Sequence, residues 1–247
     1  MRPLKITKRI MQIEFQEYVV CGVISEVSGV ATLMLTKEDG TVPPFVPGQY
    51  VNIFFPETRT SEGKAYSISS APSESTLSIT VRAIGEFSNR LCSMRPGDTV
   101  RASLPYGFFY PEADDSELVM LAAGIGIAPF RSMIRHIAKY TLSRRLALFH
   151  SVRTLSDAIF LEECTELRQK FPNFSLTHFV TRDAEVQNEY VIPHRIEPTD
   201  ILSRVSDVSR AEFLICGSIS FTRDMWRGLR KAGVNEEKLY TEAFFSH

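Results

Sequence analysis

Between residues 17 and 104 the apolar positions come in short runs, at 17–27, 31–36, 49–55, 76–84 and 98–104, rich in β-branched and aromatic side chains. Asp39-Gly40, Pro43-Pro44, Pro47-Gly48, Ala71-Pro72 and Pro96-Gly97 punctuate them. Short strands at this spacing, parted by turn residues, predict a small barrel or sandwich. One short helix is expected at 87–93, interrupting the strands.

The texture changes after Pro111. Residues 112–117, E-A-D-D-S-E, read as a polar, acidic linker. Beyond them, strand-like runs at 118–122, 145–151, 174–181, 212–216 and 238–241 alternate with helical patterns at 128–140, 156–170 and 222–232. That alternation predicts a parallel sheet with helices on both faces. The expected fold is therefore two-domain: an antiparallel β-barrel over 1–112, then an α/β parallel-sheet domain over 113–247.

Composition narrows the function classes. A chain of 247 residues suits two domains, and 44% hydrophobic residues suffice for ordinary cores. The net charge of −1 gives no footprint for nucleic acid. No run of 18 apolar residues suggests a membrane span. Arg2, Lys5, Lys8 and Arg9 are not followed by the apolar core of a secretion signal, so a cytoplasmic monomer is expected. Cys21, Cys92, Cys164 and Cys216 lie far apart, without a C-x-x-C pair. Buried free thiols are the expectation, with no metal or iron–sulfur site.

Three segments carry candidate chemistry. In G-I-G-I-A-P, from Gly124 to Pro129, an apolar strand ends in glycines that open a helix. Such a turn lets backbone approach a diphosphate, and the helix N-terminus favours anions. It is equally a tight βα turn without a ligand. In K-A-Y-S-I-S-S, from Lys64 to Ser70, strand alternation puts Lys64, Tyr66 and Ile68 on one face and Ala65, Ser67 and Ser69 on the other. A cation, a ring and hydroxyls suit a flavin, or a half-buried barrel strand. In G-E-F-S, from Gly85 to Ser88, a strand gives way to another helix start, which is a phosphate site or an ordinary cap.

Taken in order, K-A-Y-S-x-x-S, G-E-F-S, P-Y-G-x-F, G-I-G-I-A-P, C-G and E-A-F-F resemble the ferredoxin–NADP reductase superfamily over nearly the whole chain. The resemblance implies an FAD-binding barrel followed by an NAD(P)-binding domain, as in compact bacterial reductases without a fused iron–sulfur domain. It places Lys64, Ala65, Tyr66, Ser67 and Ser70 at the flavin, with Tyr66 stacked on the isoalloxazine and Ser67 near N5. Lys64 stands where the family usually has arginine. Lysine keeps the charge and loses the bidentate fork, so the expectation is either weaker FAD retention or help from a second cation such as Arg82. Gly85, Phe87 and Ser88 fall at the FAD diphosphate, and Gly124, Gly126, Ala128 and Pro129 at the nucleotide diphosphate. Cys216, before Gly217, matches a cysteine beside the nicotinamide C4, where an apolar thiol excludes water without adding charge. Glu242 and Phe244 match an acid and an aromatic that approach the flavin. Ser67, Cys216 and Glu242 are the candidate catalytic residues.

The resemblance also bears on the coenzyme. Thr181-Arg182 resembles the hydroxyl–arginine pair that holds a 2′-phosphate, with Arg153 and Arg195 as further cations. NADPH is favoured, and NADH is the alternative. The implied activity is hydride transfer from NADPH to FAD, then single-electron transfer to ferredoxin or flavodoxin. An NADH-dependent reductase component of an oxygenase and an NAD(P)H:flavin oxidoreductase are the enzyme alternatives. A silent binding module of the same fold is the non-enzyme one.

Overall fold

The computed structural model describes residues 15–55, 57, 63–111, 116–140, 143–182 and 189–244. Most of the acidic linker, with the expected boundary at 113, and the last Phe245 of E-A-F-F lie outside them.

The first half forms six antiparallel strands: β1 (Phe15–Val27), β2 (Val30–Thr36), β3 (Tyr50–Phe54), β4 (Lys64–Ser67), β5 (Leu77–Arg82) and β6 (Thr99–Ser103). Their order is β4-β3-β6-β1-β2-β5. The two edges then meet. Ile68 bridges to Ile79, and Ser69 N donates to Ser78 O at 2.8 Å. The sheet is thereby closed into a barrel, which removes its open edges. Tyr18, Leu33, Leu35, Val51, Ile53, Ile68 and Ile79 fill it. Helix α1 (Glu86–Cys92) covers one end with Leu91 and Phe87. A buried hydroxyl chain runs from Thr32 through Thr80 to Ser69, each link at 2.9 Å.

The second half forms a parallel sheet of β7 (Leu118–Ala123), β8 (Leu146–Val152), β9 (Phe174–Val180), β10 (Val191–Ile192), β11 (Glu212–Ser218) and β12 (Leu239–Phe244), in the order β10-β9-β8-β7-β11-β12. Helices α2 (Ala128–Tyr140) and α3 (Leu161–Lys170) cover one face, where Phe130, Ile134 and Cys164 meet Met120, Leu148 and Leu214. Helices α4 (Pro198–Leu202) and α5 (Ile219–Lys231) cover the other, where Ile201, Met225 and Leu229 meet Leu121, Phe149 and Ile215. Strands buried on both faces read as continuous apolar runs, as these do.

Several details differ from expectation. The predicted helix over 156–170 is broken: a 3₁₀ turn at Leu155–Asp157 is followed by Phe160 at φ 59°, and α3 begins at Leu161. Ile159 and Phe160 turn inward to the core there. Helix α5 starts three residues before the predicted 222 because the Ser218 hydroxyl accepts from Phe221 N at 3.3 Å and caps it earlier. Strand β12 runs on to Phe244.

An apolar seam joins the domains. Val27, Val30 and Phe109 pack with Ile125, Phe130 and Met133. Gly48, at φ +100°, lets this seam close, because a Cβ there would stand 1.8 Å from Phe109 O. At the foot of the sheet, buried Glu212 accepts from Ser116 Oγ (3.1 Å), Arg144 Nη2 (3.3 Å) and Tyr240 OH (3.4 Å). That network pins β11 and β12 together below the site. Among the described residues no helix is long and apolar enough to cross a membrane.

Candidate active site at the barrel–sheet crevice

In the parallel sheet β8 lies on one side of β7 and β11 on the other. The strand order therefore reverses between β7 and β11, and open α/β sheets bind ligands outside the carboxyl ends of strands at such a point. Here β7 ends in a 3₁₀ turn, Gly124–Ile127, which feeds α2 at Ala128 and Pro129. A Cβ on Gly126 would lie 2.2 Å from Cys216 O, so only glycine lets the turn rest on the end of β11. The turn is held from beneath as well. His150 Nε2 lies 3.0 Å from Gly124 O, and burial pushes this imidazole down to about 4. The ring is therefore neutral at pH 7 with its hydrogen on Nε2, donating to the carbonyl.

The barrel supplies the opposite wall. Ser67, at the end of β4, donates from its hydroxyl to Glu242 Oε2 on β12 at 3.3 Å. Cys216 is the register partner of both Ala122 on β7 and Glu242 on β12. The three expected catalytic residues, 67, 216 and 242, thus come together from two sheets. Burial pushes the Glu242 carboxyl up to about 7, against the Ser67 hydrogen bond, which acts to lower it. Burial, with the Glu242 charge adding to it, holds the Cys216 thiol well above its ordinary value. Cys216 is therefore a neutral, apolar thiol at physiological pH.

Other expected residues are placed as follows. Lys64 and Ala65 are exposed at the start of β4. Tyr66 is half-buried, 6.5 Å from Phe87 and nearly parallel to it, and burial raises its phenol so that it stays neutral. Two hydroxyls expected at the cofactor make hydrogen bonds to backbone groups. Ser70 Oγ is buried and accepts from Ser78 N at 2.9 Å, helping to close the barrel. Ser88 Oγ accepts from Ile84 N and Gly85 N and donates to Gly85 O, each at 3.0 Å, shaping the start of α1. Arg82 is half-buried at the end of β5, and its charge reaches His150 beneath the glycine turn, which puts it at the domain junction. Thr181 N and Arg182 N both donate to Arg153 O, at 3.1 and 2.8 Å, so these three residues converge beyond β8 and β9. Phe244 is half-buried against the α2–α3 core.

A cleft of about 250 Å³ opens beside Glu242, lined by Phe108, Phe109, Tyr240 and Thr241. A hollow of about 330 Å³ on the barrel, lined by the Arg90–Glu57 ion pair, Ser93, Met94, Asp98 and Thr99, gathers none of these groups. The cleft at Glu242 is the one that adjoins the expected catalytic residues. Phe108, 87% exposed at its rim, and His150 were not singled out from sequence. The signal for His150 was a lone polar ring in the otherwise apolar L-A-L-F-H.

A closed antiparallel barrel docked on a parallel sheet, with a glycine turn at the switch point, is the two-domain architecture expected from the sequence. Residues 120–226 match the Oxidoreductase NAD-binding domain family. The chain is 27% identical over 263 residues to a flavohemoprotein of Chromobacterium violaceum, covering 100% of this chain and 61% of that protein. It is 30% identical over 205 residues to the toluate 1,2-dioxygenase electron transfer component of Pseudomonas putida, covering 81% of this chain and 59% of that one. The FAD/NAD-binding domain of a nitric oxide dioxygenase from Vibrio cholerae superposes with a TM-score of 0.82 at 22% identity, covering 93% of this chain and 98% of that one. A ferredoxin NADP+ reductase from Neisseria gonorrhoeae, with bound FAD and NADP, gives 0.77 at 24% identity, covering 94% and 99%. The chain shares the two-domain fold of these reductase structures, and its second half carries the match to an oxidoreductase NAD-binding domain. It spans 61% and 54% of the length of the flavohemoproteins of C. violaceum and Bordetella pertussis.

Proposed function

We propose that this chain is an FAD-dependent reductase that takes hydride from NADPH and passes electrons singly to a separate protein of the ferredoxin or flavodoxin type. The observation that carries this reading is the Ser67–Glu242 contact, which brings the K-A-Y-S strand to the switch-point crevice beside Cys216. The residues there fit a flavin ring. Tyr66 is a neutral phenol, Ser67 offers a hydroxyl, and Cys216 is an un-ionised thiol. Bound FAD would supply the two-electron to one-electron conversion that side chains cannot perform.

The chain's own residues bind and orient. Lys64 and the start of α1 face the FAD phosphates in this reading, with the junction of the two domains near residue 113. The 124–127 turn and the N-terminus of the 13-residue α2 receive the nucleotide diphosphate. Arg153 and Arg182, drawn together by the Arg153 carbonyl, take the 2′-phosphate, with Thr181 beside them. Cys216 keeps water and charge away from the transfer site. Glu242, titrating near neutrality, holds or releases a proton shared with Ser67.

A second reading is an NADH-dependent reductase serving an oxygenase, favoured by the similarity to the P. putida electron transfer component. Rapid mixing of the FAD-loaded chain with NADPH and NADH in parallel separates the two. Faster flavin bleaching by NADPH supports the first reading, and faster bleaching by NADH the second. A chain that retains no FAD overturns both.

A further inference from the structure

We propose that Arg131, with Arg135 and Glu163, forms a clasp that positions the flavin strand against the nucleotide helix and so sets the geometry of hydride transfer. The inference rests on the proposed reductase reading. Arg131 lies in the first turn of α2, directly after the glycine turn. Its Nη1 donates to Ser69 O in the barrel at 2.8 Å. Its Nε donates to Glu163 Oε2 on α3 at 2.9 Å. The guanidinium also lies over the Phe160 ring, 4.9 Å from its centroid. With 11% of its side chain exposed, Arg131 is a nearly buried cation reaching across the domain boundary.

Arg135, one turn further along the same face of α2, repeats the arrangement. Its Nε lies 3.5 Å from Glu163 Oε1 and 3.4 Å from Glu74 Oε1. Glu74 Oε1 in turn accepts from Ala71 N at 2.6 Å. Helix α2 therefore grips the segment 69–74 at both ends, and Glu163 lends one carboxylate oxygen to each arginine. Glu26, whose carboxyl burial pushes up, adds a further group within the field of Arg131.

Position makes this more than a surface ion pair. Ser69 is two residues beyond Ser67, and Ile68 between them is fixed by Gln49 O at 2.9 Å and by its bridge to Ile79. A shift at the Ser69 carbonyl is carried straight to the flavin strand. At the other end α2 moves together with the 124–127 turn. One guanidinium thus links the segments that would hold the two reacting rings. The apolar seam of Val27, Val30 and Phe109 keeps the domains together without it. Losing the clasp should therefore loosen their alignment rather than part them. Arginine is required because two N–H groups point to two targets at once, which an ammonium matches poorly.

The test uses the full chain with Arg131→Gln, Arg131→Lys and Glu163→Gln. Hydrogen exchange of 68–74 and 128–135 is followed without coenzyme, and flavin bleaching by NADPH is followed by rapid mixing. Misalignment of about 1 Å costs on the order of 10²-fold in rate. Arg131→Gln should slow bleaching by roughly 10- to 100-fold and weaken the long-wavelength charge-transfer absorbance between the rings. FAD and coenzyme affinities should stay within about twofold of wild type, and exchange at 68–74 should rise. Arg131→Lys and Glu163→Gln should fall between, and they carry the test if Arg131→Gln fails to fold. Wild-type bleaching and exchange in all folded variants would overturn the clasp, as would a rate loss that merely tracks lost FAD. If the wild-type chain is bleached by neither coenzyme, the reductase reading fails. Unchanged exchange in Arg131→Gln would then separately sink the clasp.

Discussion

Replacing Glu242 with glutamine tests the electrostatics of the crevice directly. The wild-type carboxyl is raised by burial from its ordinary 4.5 to about 7. At roughly 1.4 kcal/mol per tenfold change in proton affinity, that displacement is worth about 3 kcal/mol. The sign follows from linkage: a group whose folded-state affinity for protons exceeds its unfolded one stabilises the fold at low pH. The contribution is therefore complete below about pH 4.5, falls between about 4.5 and 7, and is absent above. Glutamine keeps the shape and an acceptor for the Ser67 hydroxyl but does not titrate. Urea unfolding from about pH 5 to about pH 8 should show wild type losing roughly 3 kcal/mol relative to Glu242→Gln as pH rises. Flavin reduction should follow the same group, because an anion beside Cys216 and Ser67 opposes the arrival of hydride. The wild-type rate should fall above about pH 7, and the inflection should vanish in the variant. Parallel stability curves and an unchanged rate profile would refute the reasoning and make Glu242 a solvated acid.

Lys64→Ala should weaken FAD retention about tenfold or more, since a charge-assisted contact is worth roughly 1.5–3 kcal/mol; equilibrium dialysis with flavin fluorescence checks it. Arg182→Ala should raise the KM for NADPH and leave that for NADH nearly unchanged, because only NADPH carries the 2′-phosphate. Steady-state kinetics with both coenzymes decides this, and equal effects would move the pocket elsewhere. Gly126→Ala forces a methyl to 2.2 Å from Cys216 O. It should lower the denaturant midpoint by an amount corresponding to about 1–3 kcal/mol and weaken coenzyme binding while FAD is retained.

Much of the fold was legible because each strand is a short apolar run with a turn residue at its end. Helix α2 falls on the predicted residues, since Pro129 and the glycines before it mark its start. Strand β10 has two residues and so no period to detect. The left-handed turn at Phe160 was hidden because an aromatic rarely adopts it. Within the site, residue types and order singled out positions 67, 216 and 242, which the structure brings together, but a motif does not say where a hydroxyl points. Ser70 and Ser88 spend theirs on backbone groups of the fold itself. The upward push on the Glu242 carboxyl comes from its burial in the folded chain, which no local pattern encodes. The partners of Arg131 lie 32 and 62 residues away, so the clasp exists only in three dimensions.

The Ser67–Glu242 hydrogen bond joins positions 175 apart in the chain. A ribosome adding roughly 5–20 residues per second delivers the second partner about ten seconds or more after the first. The last barrel strand ends at Ser103, so the barrel can close while β11 and β12 are still being made. Until β12 docks, Ser67 faces no acid and the crevice has one wall. A nascent chain therefore lacks the complete crevice that the proposed reductase would use to receive hydride. In that reading, the order of synthesis itself would keep an unfinished protein from acting as a stray source of electrons.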